Sequence, residues 1–555
     1  MPVSLEYPDV AFDAVLAGSA RAYGDRIALR DGDQALTFIE LHDHALRIAQ
    51  GLSDRGIRPG DRVVLLMPNS LWYPVAYFGI LCAGAVACPV NHTQPTETLR
   101  ELLAEFSPRA AVVHPSSVAA FRAAQNSGLE FTVVAPPTAA APANCPSQDS
   151  AISDVDLSHL LESPALTRKL ASSQGVAHLQ LTGGTTGRSK GVQVLHRNLV
   201  ASTIQTTAWR SSSLPESDEA GGIRMVPVPT AVHENSERMG EGVIAVVAPY
   251  FHGLALVGQC NHVLAGTTTL VLGRFDPHEY LATIERHKID RLIGAPAFYH
   301  LLLEASTKST HDLSSVRSVF SGAAPIDTTT LRRMGETFSN AKVIEGYGLS
   351  EATTILTNQL NNPDARSPIG SVGLPIFDTR ISLRDMETEE EVTAGEVGEI
   401  WASGPQVTAG YFAAPELTAL QFRDGWLKTG DLGRFDSDGN LYVVGRSKDM
   451  IIYKGYNVYP VQLEEVLCSH PGVAQSAVIG RPNDEVGQIP VAFVVRSPGA
   501  ARVSASELVE YVSEKVAPYQ RIHAVEFIEA LPLTPTGKVQ KSRLLFHPVA
   551  ARVVR

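Results

Sequence analysis

The chain has 555 residues, of which 44% are apolar and 19% charged, and its formal net charge is -12. This length exceeds what one hydrophobic core normally holds, so a globular protein of two or more domains is expected. The acidic balance argues against a general nucleic-acid binder, because neutralising phosphates requires a basic face. The five cysteines are scattered and include no CxxC pair, which indicates a reducing compartment rather than a disulfide framework or structural zinc.

Two long segments raise the question of a membrane span, because residues 63–96 and 243–273 contain no charged side chain. Prolines and glycines interrupt both segments, which favours buried strands and helices of a large α/β domain over spanning helices. The first residues lack a basic start followed by an apolar core, so no signal peptide is predicted. We therefore expect a cytoplasmic protein without a membrane span.

Short apolar runs alternate with amphipathic stretches along the chain. The runs lie at 62–68, 111–114, 132–135 and 268–273, and residues 38–56 place apolar side chains at helical spacing up to a stop at Gly56. This alternation predicts α/β architecture with largely parallel sheets. Residues 135–150, rich in Pro, Ala and Ser, predict a surface loop, and the polar, Gly-rich residues 210–240 predict an exposed excursion.

The pattern restarts near residue 446 as a compact αβ unit, about 110 residues long, which is enough for a small separate domain. We predict an N-terminal domain at residues 1–446 and a C-terminal domain at residues 447–555.

The strongest local signal is LTGGTTGRSKGV at residues 181–192. Glycines let the backbone turn tightly and expose N–H groups, while hydroxyls and cations supply further donors to phosphate oxygens. The segment is not a Walker A loop, because Ser189 stands where the second glycine should be. A Gly/Ser/Thr linker would explain the glycines alone but not this order with basic residues. The predicted phosphate ligands are Thr182, Gly183, Gly184, Thr185, Thr186 and Lys190.

This segment resembles the phosphate loop of the adenylate-forming superfamily, which contains acyl-CoA synthetases, peptide-synthetase adenylation domains and firefly-type luciferases. The similarity continues from about residue 36 to residue 544 in the family's order. The other matching motifs are GAVACPVN (84–91), SGAAP (321–325), GYGLSEAT (346–353), SVGLP (371–375), VGEIWASGPQVTAGY (397–411), GWLKTGDLGRFDSDGN (425–440), GRSKDMIIYKGYNVYPVQLEE (445–465) and PLTPTGKVQKSRL (532–544).

The resemblance implies an α/β multidomain fold. A large N-terminal domain would contain two α/β subdomains and a β-barrel-like segment, and a small mobile α+β domain would follow. It also implies ATP and coenzyme A as substrates and Mg²⁺ as the metal ion.

GYGLSEAT can also be interpreted physically. Tyr347 offers a flat ring for an adenine, Ser350 a hydroxyl for a phosphate oxygen, and Glu351 a hard oxygen ligand suited to Mg²⁺. A turn with a solvated glutamate would explain the segment alone equally well. By resemblance, Asp431 and Arg446 contact the ribose, and further nucleotide contacts come from Gly322, Ala323, Ala324, Gly346 and Gly348.

Lys538 matches the catalytic lysine of the family. A cation that touches both the carboxylate and the α-phosphate lowers their repulsion in the transition state, whereas a lone lysine near a C-terminus would ordinarily be solvated. Lys448 matches the family's hinge position, about which the small domain would rotate between half-reactions. Lys454 and Gly455 resemble the loop that lines the thiol's access channel.

The segment APYFHGLAL at residues 248–256 resembles the start of the family's acyl pocket, which assigns His252, Gly253 and Leu256 to that pocket and His252 to its carboxyl end. A structural role for His252 is the alternative. Peptide-synthetase domains place an aspartate here to pair with an α-amino group. No acid is present in this stretch, and a buried unpaired ammonium would be costly, so an apolar acid without an α-amino group is expected.

The leading interpretation is an AMP-forming acyl-CoA synthetase acting on a small-molecule carboxylic acid. One alternative is an acyl-AMP ligase that loads the pantetheine arm of an acyl carrier protein, and a luciferase-type oxygenase would share nearly all of these residues. From another class, the chain could be a nucleotide-binding relative without turnover, although such a protein should lose Lys538 or Glu351 first. The sequence leaves the oligomeric state open between monomer and homodimer.

Overall fold

The structure is a computed structural model that describes residues 4–125, 128–136, 153–182, 190–362, 367–483, 485–497, 499–500, 503–534 and 538–547. Four of the predicted phosphate ligands, Gly183, Gly184, Thr185 and Thr186, lie outside the described residues. Most of the predicted surface loop at 135–150 lies outside them as well.

The strands follow one another along the whole chain. They are β1 (Ile27–Asp31), β2 (Gln34–Thr37), β3 (Arg62–Leu66), β4 (Val86–Pro89), β5 (Ala110–Val113), β6 (Phe131–Val134), β7 (Ser153–Asp156), β8 (Val176–Thr182), β9 (Lys190–Leu195), β10 (Ser213–Ser217), β11 (Ile223–Pro227), β12 (Val243–Val246), β13 (Thr268–Val271), β14 (Arg291–Gly294), β15 (Ser318–Ser321), β16 (Lys342–Tyr347), β17 (Thr357–Asn358), β18 (Leu374–Pro375), β19 (Arg380–Arg384), β20 (Gly398–Ser403), β21 (Phe422–Arg423), β22 (Trp426–Phe435), β23 (Leu441–Arg446), β24 (Ile451–Tyr453), β25 (Tyr456–Val458), β26 (Val473–Asn483), β27 (Gly487–Arg496) and β28 (Ala524–Phe527).

The helices connect and cover these strands. They are α1 (Phe12–Tyr23), α2 (Phe38–Asp54), α3 (Trp72–Cys82), α4 (Thr96–Phe106), α5 (Val118–Ala124), α6 (Leu157–Leu161), α7 (His196–Ser211), α8 (Gly253–Ala265), α9 (Pro277–His287), α10 (Pro296–Ser306), α11 (Thr328–Thr337), α12 (Pro415–Gln421), α13 (Pro460–Cys468), α14 (Ala505–Ser513) and α15 (Lys541–Leu544). Short 3-10 turns occupy Pro115–Ser117, Ser350–Ala352, Ser447–Asp449 and Pro518–Gln520.

The predicted α2 shows how local sequence sets an element. Thr37 caps the helix by accepting a hydrogen bond from the backbone N–H of Glu40, whose side chain in turn accepts from the N–H of Thr37. Beyond the last helical residue, Gly56 adopts a φ of +88°. The predicted helix and its stop are therefore confirmed.

Two large sheets form the body of the molecule. The first has seven strands in the order β7-β6-β5-β3-β4-β8-β9, parallel except for the β8–β9 pair. The second has nine strands in the order β18-β17-β16-β15-β14-β12-β13-β1-β2, and its middle strands β16, β15, β14, β12 and β13 run parallel. The carboxyl ends of those parallel strands meet at one edge, which is where α/β proteins bind ligands.

A third sheet of antiparallel strands β19 to β23 follows, and strands β24 to β28 form a separate five-stranded sheet with α13 and α14. The expected α/β class, with a large N-terminal and a small C-terminal domain, is confirmed. The boundary at 446/447 and movement about Lys448 stay predictions.

The uncharged segments that raised the membrane question are buried strands and helices. Helix α3, for example, has every residue from Tyr73 to Cys82 buried against the main core. Within the described residues, no helix combines the length and the hydrophobicity needed to cross a bilayer.

The predicted exposed excursion at 210–240 is wrong for its first half. Strands β10 and β11 pair as an antiparallel hairpin, and Ile223 is 0% exposed within the main core. The guanidinium of Arg21 on α1 binds both carboxylate oxygens of Asp218 at the tip, at 2.7 and 3.0 Å. The hairpin is therefore packed on α1 rather than extended into solvent.

Candidate active site

Three predicted segments meet at the carboxyl edge of the nine-stranded sheet, and a fourth comes from the third sheet. His252 follows β12, Gly322 follows β15 directly, and the segment beginning with Gly346 ends β16. Because β12, β14, β15 and β16 are parallel neighbours, these segments share one edge. The third sheet supplies Asp431 from β22, paired across from Arg446 on β23.

Asp431 is the centre of a tight polar contact. Its Oδ2 accepts a 2.8 Å hydrogen bond from the Tyr347 hydroxyl, and its Oδ1 accepts one of 3.1 Å from Nε of Arg446. The Asp431 side chain is 9% exposed. Burial and the neighbouring Asp431 raise the pKa of Tyr347 well above its usual value. A carboxylate has about four acceptor sites, so Asp431 retains capacity for two ribose hydroxyls.

Lys538 reaches the same site from the C-terminal domain. Burial and the Arg446 charge lower the pKa of Lys538, while Asp431 and Glu351 act in the opposite direction. Its backbone N–H donates to Oγ1 of Thr534 at 3.0 Å. Its ammonium donates no hydrogen bond to any of the described residues, so its donors are available to a ligand.

Glu351 is buried opposite Tyr411, which the sequence reasoning missed as a site residue. The Tyr411 hydroxyl donates to Oε1 of Glu351 at 2.7 Å, and the side chain of Lys190 lies 5.7 Å from the Tyr411 ring centroid. Tyr411 also forms a β-bridge to Val192, two residues beyond Lys190. The only signal was its place at the end of the motif VTAGY.

Comparison with known proteins supplies the family. The family described as "AMP-binding enzyme" matches residues 16–412, and "AMP-binding enzyme C-terminal domain" matches residues 462–538. The chain belongs to the AMP-binding enzymes.

Relatives of this AMP-binding enzyme align along nearly its whole length. A long-chain-fatty-acid–CoA ligase of Bacillus subtilis (strain 168) is 32% identical over 580 aligned residues, covering 98% of this chain and 96% of the relative. A feruloyl-CoA synthase of Amycolatopsis sp is 33% identical, covering 95% and 96%. The crystal structure of ATP-bound MatB from Rhodopseudomonas palustris superposes with a TM-score of 0.81 at 27% identity, covering 96% of this chain and 98% of that one.

A strained turn follows the predicted nucleotide loop of the AMP-binding enzyme. Thr353 and Thr354 have φ values of +46° and +76°, which are unusual for β-branched residues. Hydrogen bonds hold the turn, since Thr353 Oγ1 donates to the Gln406 carbonyl at 2.7 Å and Ser202 donates to the Thr353 carbonyl at 2.8 Å. A Cβ added to Gly348 would lie 2.2 Å from the Thr354 carbonyl oxygen, so only glycine fits there. Such strain typically collects at functional sites.

The predicted adenine segment after β15 also contains a strained residue. Ala323, in the predicted adenine segment Gly322–Ala324, has a φ of +68°. Ser350 lies in the 3-10 turn that also carries Glu351, so the predicted phosphate hydroxyl and the predicted metal ligand are neighbours in space.

His252 caps α8 at the edge of the site. Its Nδ1 accepts a 3.3 Å hydrogen bond from the Leu254 N–H, which leaves the proton of the neutral ring on Nε2. Burial, helped by the Lys538 charge, lowers the pKa of His252 to about 4. The imidazole is therefore neutral at physiological pH, and its structural role as a cap coexists with a position beside Lys538.

The side of α8 that has open space beside it is not the side that carries the predicted pocket residue Leu256. Leu256 is 1% exposed and packs in the main core, whereas Leu254 and Gly258, one turn apart, are partly exposed. A Cβ added at Gly253 would lie 2.8 Å from the Thr354 methyl group, but one added at Gly258 would have no atom within 4 Å. The free space along α8 therefore lies beside Leu254 and Gly258.

The predicted hinge and channel residues lie at the start of the small domain. Lys448 sits in the 3-10 turn after β23, where burial and Arg446 lower its pKa. Lys454 and Gly455 form the two-residue turn of the β24–β25 hairpin, with φ values of +51° and +81°. Positive φ at both positions is the type I′ hairpin geometry, which favours glycine.

Glu345, on β16, gives the stability of the fold a testable pH dependence. Burial raises the pKa of this β16 carboxyl to about 8, and Glu465 on α13 adds to the shift. The contribution of protonated Glu345 to the free energy of unfolding is complete below the pKa that this carboxyl has in the unfolded chain. This contribution is lost as the pH rises through about 8, the pKa in the folded protein.

We therefore predict that Glu345→Gln removes a loss of stability on going from acidic to mildly alkaline pH, by up to about 1.4 kcal/mol per pH unit. The glutamine keeps an acceptor for the N–H of Gly370, which Glu345 Oε1 binds at 3.0 Å. The measurement is the difference in melting temperature between variant and wild type across that pH range. Glu304→Gln, at an exposed position on α10, is the control, and a flat difference for Glu345→Gln would contradict the prediction.

Proposed function

We propose that the chain is an ATP-dependent, AMP-forming acid–thiol ligase that makes an acyl-adenylate and transfers the acyl group to coenzyme A. The observation that carries the proposal is the environment of Lys538, whose buried ammonium interacts electrostatically with Arg446, Asp431 and Glu351 and donates no hydrogen bond to any described residue. The names of the relatives, which are CoA ligases and synthases, support the same reaction class.

In the first half-reaction, a carboxylate oxygen of the acid attacks the α-phosphorus of ATP. The bond from that phosphorus to the bridging oxygen breaks, and pyrophosphate leaves. Both reactants are anionic, so a buried cation that contacts both stabilises the transition state more than the ground state. Lys538 fills this role. His252 is neutral with its proton on Nε2, and donates to the acid's carboxylate without adding a charge.

The nucleotide contacts come from three sheets, namely the seven-stranded sheet, the nine-stranded sheet and the third, antiparallel sheet. Asp431 and Arg446 hold the ribose, and Tyr347 with the loops at 322–324 and 346–348 contacts the adenine. Ser350, Thr182 and Lys190 serve the phosphates together with the Gly-rich segment. The supporting geometry is the Tyr347–Asp431–Arg446 contact and the approach of Lys190 to the ring of Tyr411.

Glu351 is the residue that would hold Mg²⁺. Tyr411 occupies one of its oxygens, and the other accepts no hydrogen bond from the described residues. The described part of the chain contains no cluster of three or more potential metal-binding side chains, which suits Mg²⁺ because it commonly takes one or two carboxylates and substrate phosphates. When bound, Mg²⁺ would neutralise charge on the phosphates.

In the second half-reaction, the thiol sulfur attacks the acyl carbon and AMP leaves. Lys538 is not needed for this step, so rotation of the small domain about Lys448 would withdraw it and bring the Lys454–Gly455 turn to the thiol's path. A Cβ added at Gly455 meets no atom within 4 Å, so this turn presents open space where a narrow pantetheine arm could pass. A carrier protein is the alternative thiol donor.

The proposal is tested by pyrophosphate release over a panel of fatty, aryl and branched carboxylic acids, each with and without coenzyme A. We expect release coupled to acyl-CoA formation for one class of acid. Pyrophosphate release without a CoA product would assign the acceptor to a carrier protein. Silence across the panel would contradict the ligase assignment.

We predict that Lys538→Ala lowers the rate of adenylation on the order of 100-fold to 1000-fold, because the transition state loses its cation. Adenylation is measured as pyrophosphate release in the absence of thiol. Lys515→Ala, an exposed lysine of the same domain, is the matched control and should keep the wild-type rate. A Lys538→Ala rate close to that of the control would overturn the assignment.

The channel role of Gly455 has a matched control in the chain. Asp424 and Gly425 form a second two-residue turn with φ values of +51° and +79°, and a Cβ at Gly425 also meets no atom within 4 Å. Leucine at either glycine therefore carries the same backbone strain, about 1–2 kcal/mol.

We predict that Gly455→Leu slows thioester formation on the order of 100-fold while adenylation stays within a few-fold of wild type. Gly425→Leu should lower stability by a similar amount but leave the rates of both half-reactions unchanged. Single-turnover measurements starting from ATP and from purified acyl-adenylate separate the two steps. Equal loss of both half-reactions in Gly455→Leu would reject the channel role.

A further inference from the structure

Arg210, in the last turn of α7, is a cation without an acceptor. Its guanidinium carbon lies 5.3 Å from the centroid of the Phe320 ring, and within the described residues it donates no hydrogen bond and forms no ion pair. Burial lowers its pKa to about 10, so it remains charged at neutral pH. A contact with an aromatic face leaves the five N–H donors of a guanidinium unsatisfied.

Glu237, an acidic residue whose backbone contacts Arg210, is already engaged by other side chains. The backbone N–H of Glu237 donates to the Arg210 carbonyl at 2.9 Å, but the Glu237 carboxylate binds Arg291 and accepts from Oγ1 of Thr267 at 3.2 Å. Arg291 and Glu237 are both almost fully buried and form their own ion pair. Among the described residues, none therefore neutralises the positive charge of Arg210, which is costly unless a ligand does so.

The ring under Arg210 borders the proposed nucleotide and acid site. A Cβ added at Gly322 or at Gly346 would lie 2.8 Å from the Phe320 ring, so this ring packs against both loops. Arg210 also keeps part of its surface open, although protein surrounds it closely enough to lower its pKa. Those two properties together are expected of a side chain that lines an internal opening.

Partly exposed positions on α8 continue from the reacting end toward the end of the helix that lies within electrostatic range of Arg210. His252, beside Lys538, marks one end, and Leu254 and Gly258 are the partly exposed positions that follow. His262, near the other end of α8, lies close enough to Arg210 for that charge to lower its pKa, which burial lowers further. A helix rises about 1.5 Å per residue, so Asn261, nine positions after His252, lies about 13.5 Å farther along the helix axis.

Buried polar groups lie on α7 and α8 near that end. Three buried side chains on α7 and α8 have polar atoms without a hydrogen-bond partner among the described residues: Thr207 Oγ1, Asn261 Oδ1 and His262 Nε2. Thr207 precedes Arg210 by one helical turn, and Asn261 is adjacent to His262. Buried polar atoms are ordinarily paired, so unpaired ones on the two helices that carry Arg210 and His262 favour a polar ligand over an apolar one.

We propose that Arg210 binds a second carboxylate at the distal end of the acid, so that the substrates are acids with carboxylates at both ends. A guanidinium pairs with a carboxylate through two parallel hydrogen bonds, a geometry that a methyl or carbonyl terminus does not offer. His252 and Lys538 receive the carboxylate that reacts, and the length of α8 between the two ends sets the chain length. The inference rests on the proposed function and adds the substrate class to it.

The test compares unbranched α,ω-dicarboxylic acids with monocarboxylic acids and terminal keto acids of the same chain length. Wild type, Arg210→Met, Arg210→Lys and the control Arg286→Met, an exposed arginine on α9, are assayed for pyrophosphate release. We expect wild type to prefer a diacid of one length. Arg210→Met should lower kcat/KM for that diacid on the order of 100-fold and leave or improve the monoacid, with Arg210→Lys in between.

The affinity of wild type and the Arg210 variants for the same acids, measured by calorimetry at equilibrium, tests the distal site without requiring turnover. If Arg210→Met abolishes diacid binding, the distal site is supported, whether or not pyrophosphate is released. If the diacid binds in this way but no pyrophosphate is released, the ligase function is rejected and the distal site is retained. Monoacid turnover that matches or exceeds diacid turnover, with equal effects of Arg210→Met on both, would reject the distal carboxylate and leave the ligase function standing. An equal preference for keto acids would also reject it, because a neutral acceptor would then suffice.

Discussion

The site depends on one arrangement of buried charge. Lys538 comes from the small domain, and the groups around it, Arg446, Asp431 and Glu351, belong to the large domain and its last strand. Burying a single charge is costly, but two cations and two carboxylates in one place offset much of that cost. The ammonium remains available because Asp431 is already bound to Tyr347 and Arg446. The seating of the small domain therefore determines whether Lys538 meets these groups.

The large domain is built to keep these groups in position. Parallel strands bring the loops after β12, β15 and β16 to one edge, and the strained residues Ala323, Thr353 and Thr354 shape those loops. Hydrogen bonds from Ser202 and to Gln406 fix the strained turn from two other elements. The surrounding fold thus holds a backbone geometry that the local sequence alone would not adopt.

What could be predicted follows from the range of each interaction. Helix α2 was predictable because its cap, periodicity and stop are local. Motif resemblance assigned Asp431, Tyr347 and Arg446 to the nucleotide, and the structure brings these three side chains into contact. The β10–β11 hairpin was misjudged because its polar composition suggests exposure, while the partner that buries it, α1, is distant; Arg21 and Asp218 are 197 positions apart. Arg210 and Tyr411 were missed for the same reason, since the significance of each lies in a neighbour from another element. The burial of Leu256 likewise depends on how α8 is rotated.

Tyr411 joins two parts of the site that are far apart in sequence. Its backbone bridges Val192, just beyond Lys190, and its hydroxyl holds Glu351. A displacement of the strand after the Gly-rich segment is therefore transmitted to the carboxylate through a single side chain. In evolutionary terms the three segments form one epistatic unit: substitutions at 190–192, 351 and 411 will not have additive effects, and a change tolerated in one relative need not be tolerated here.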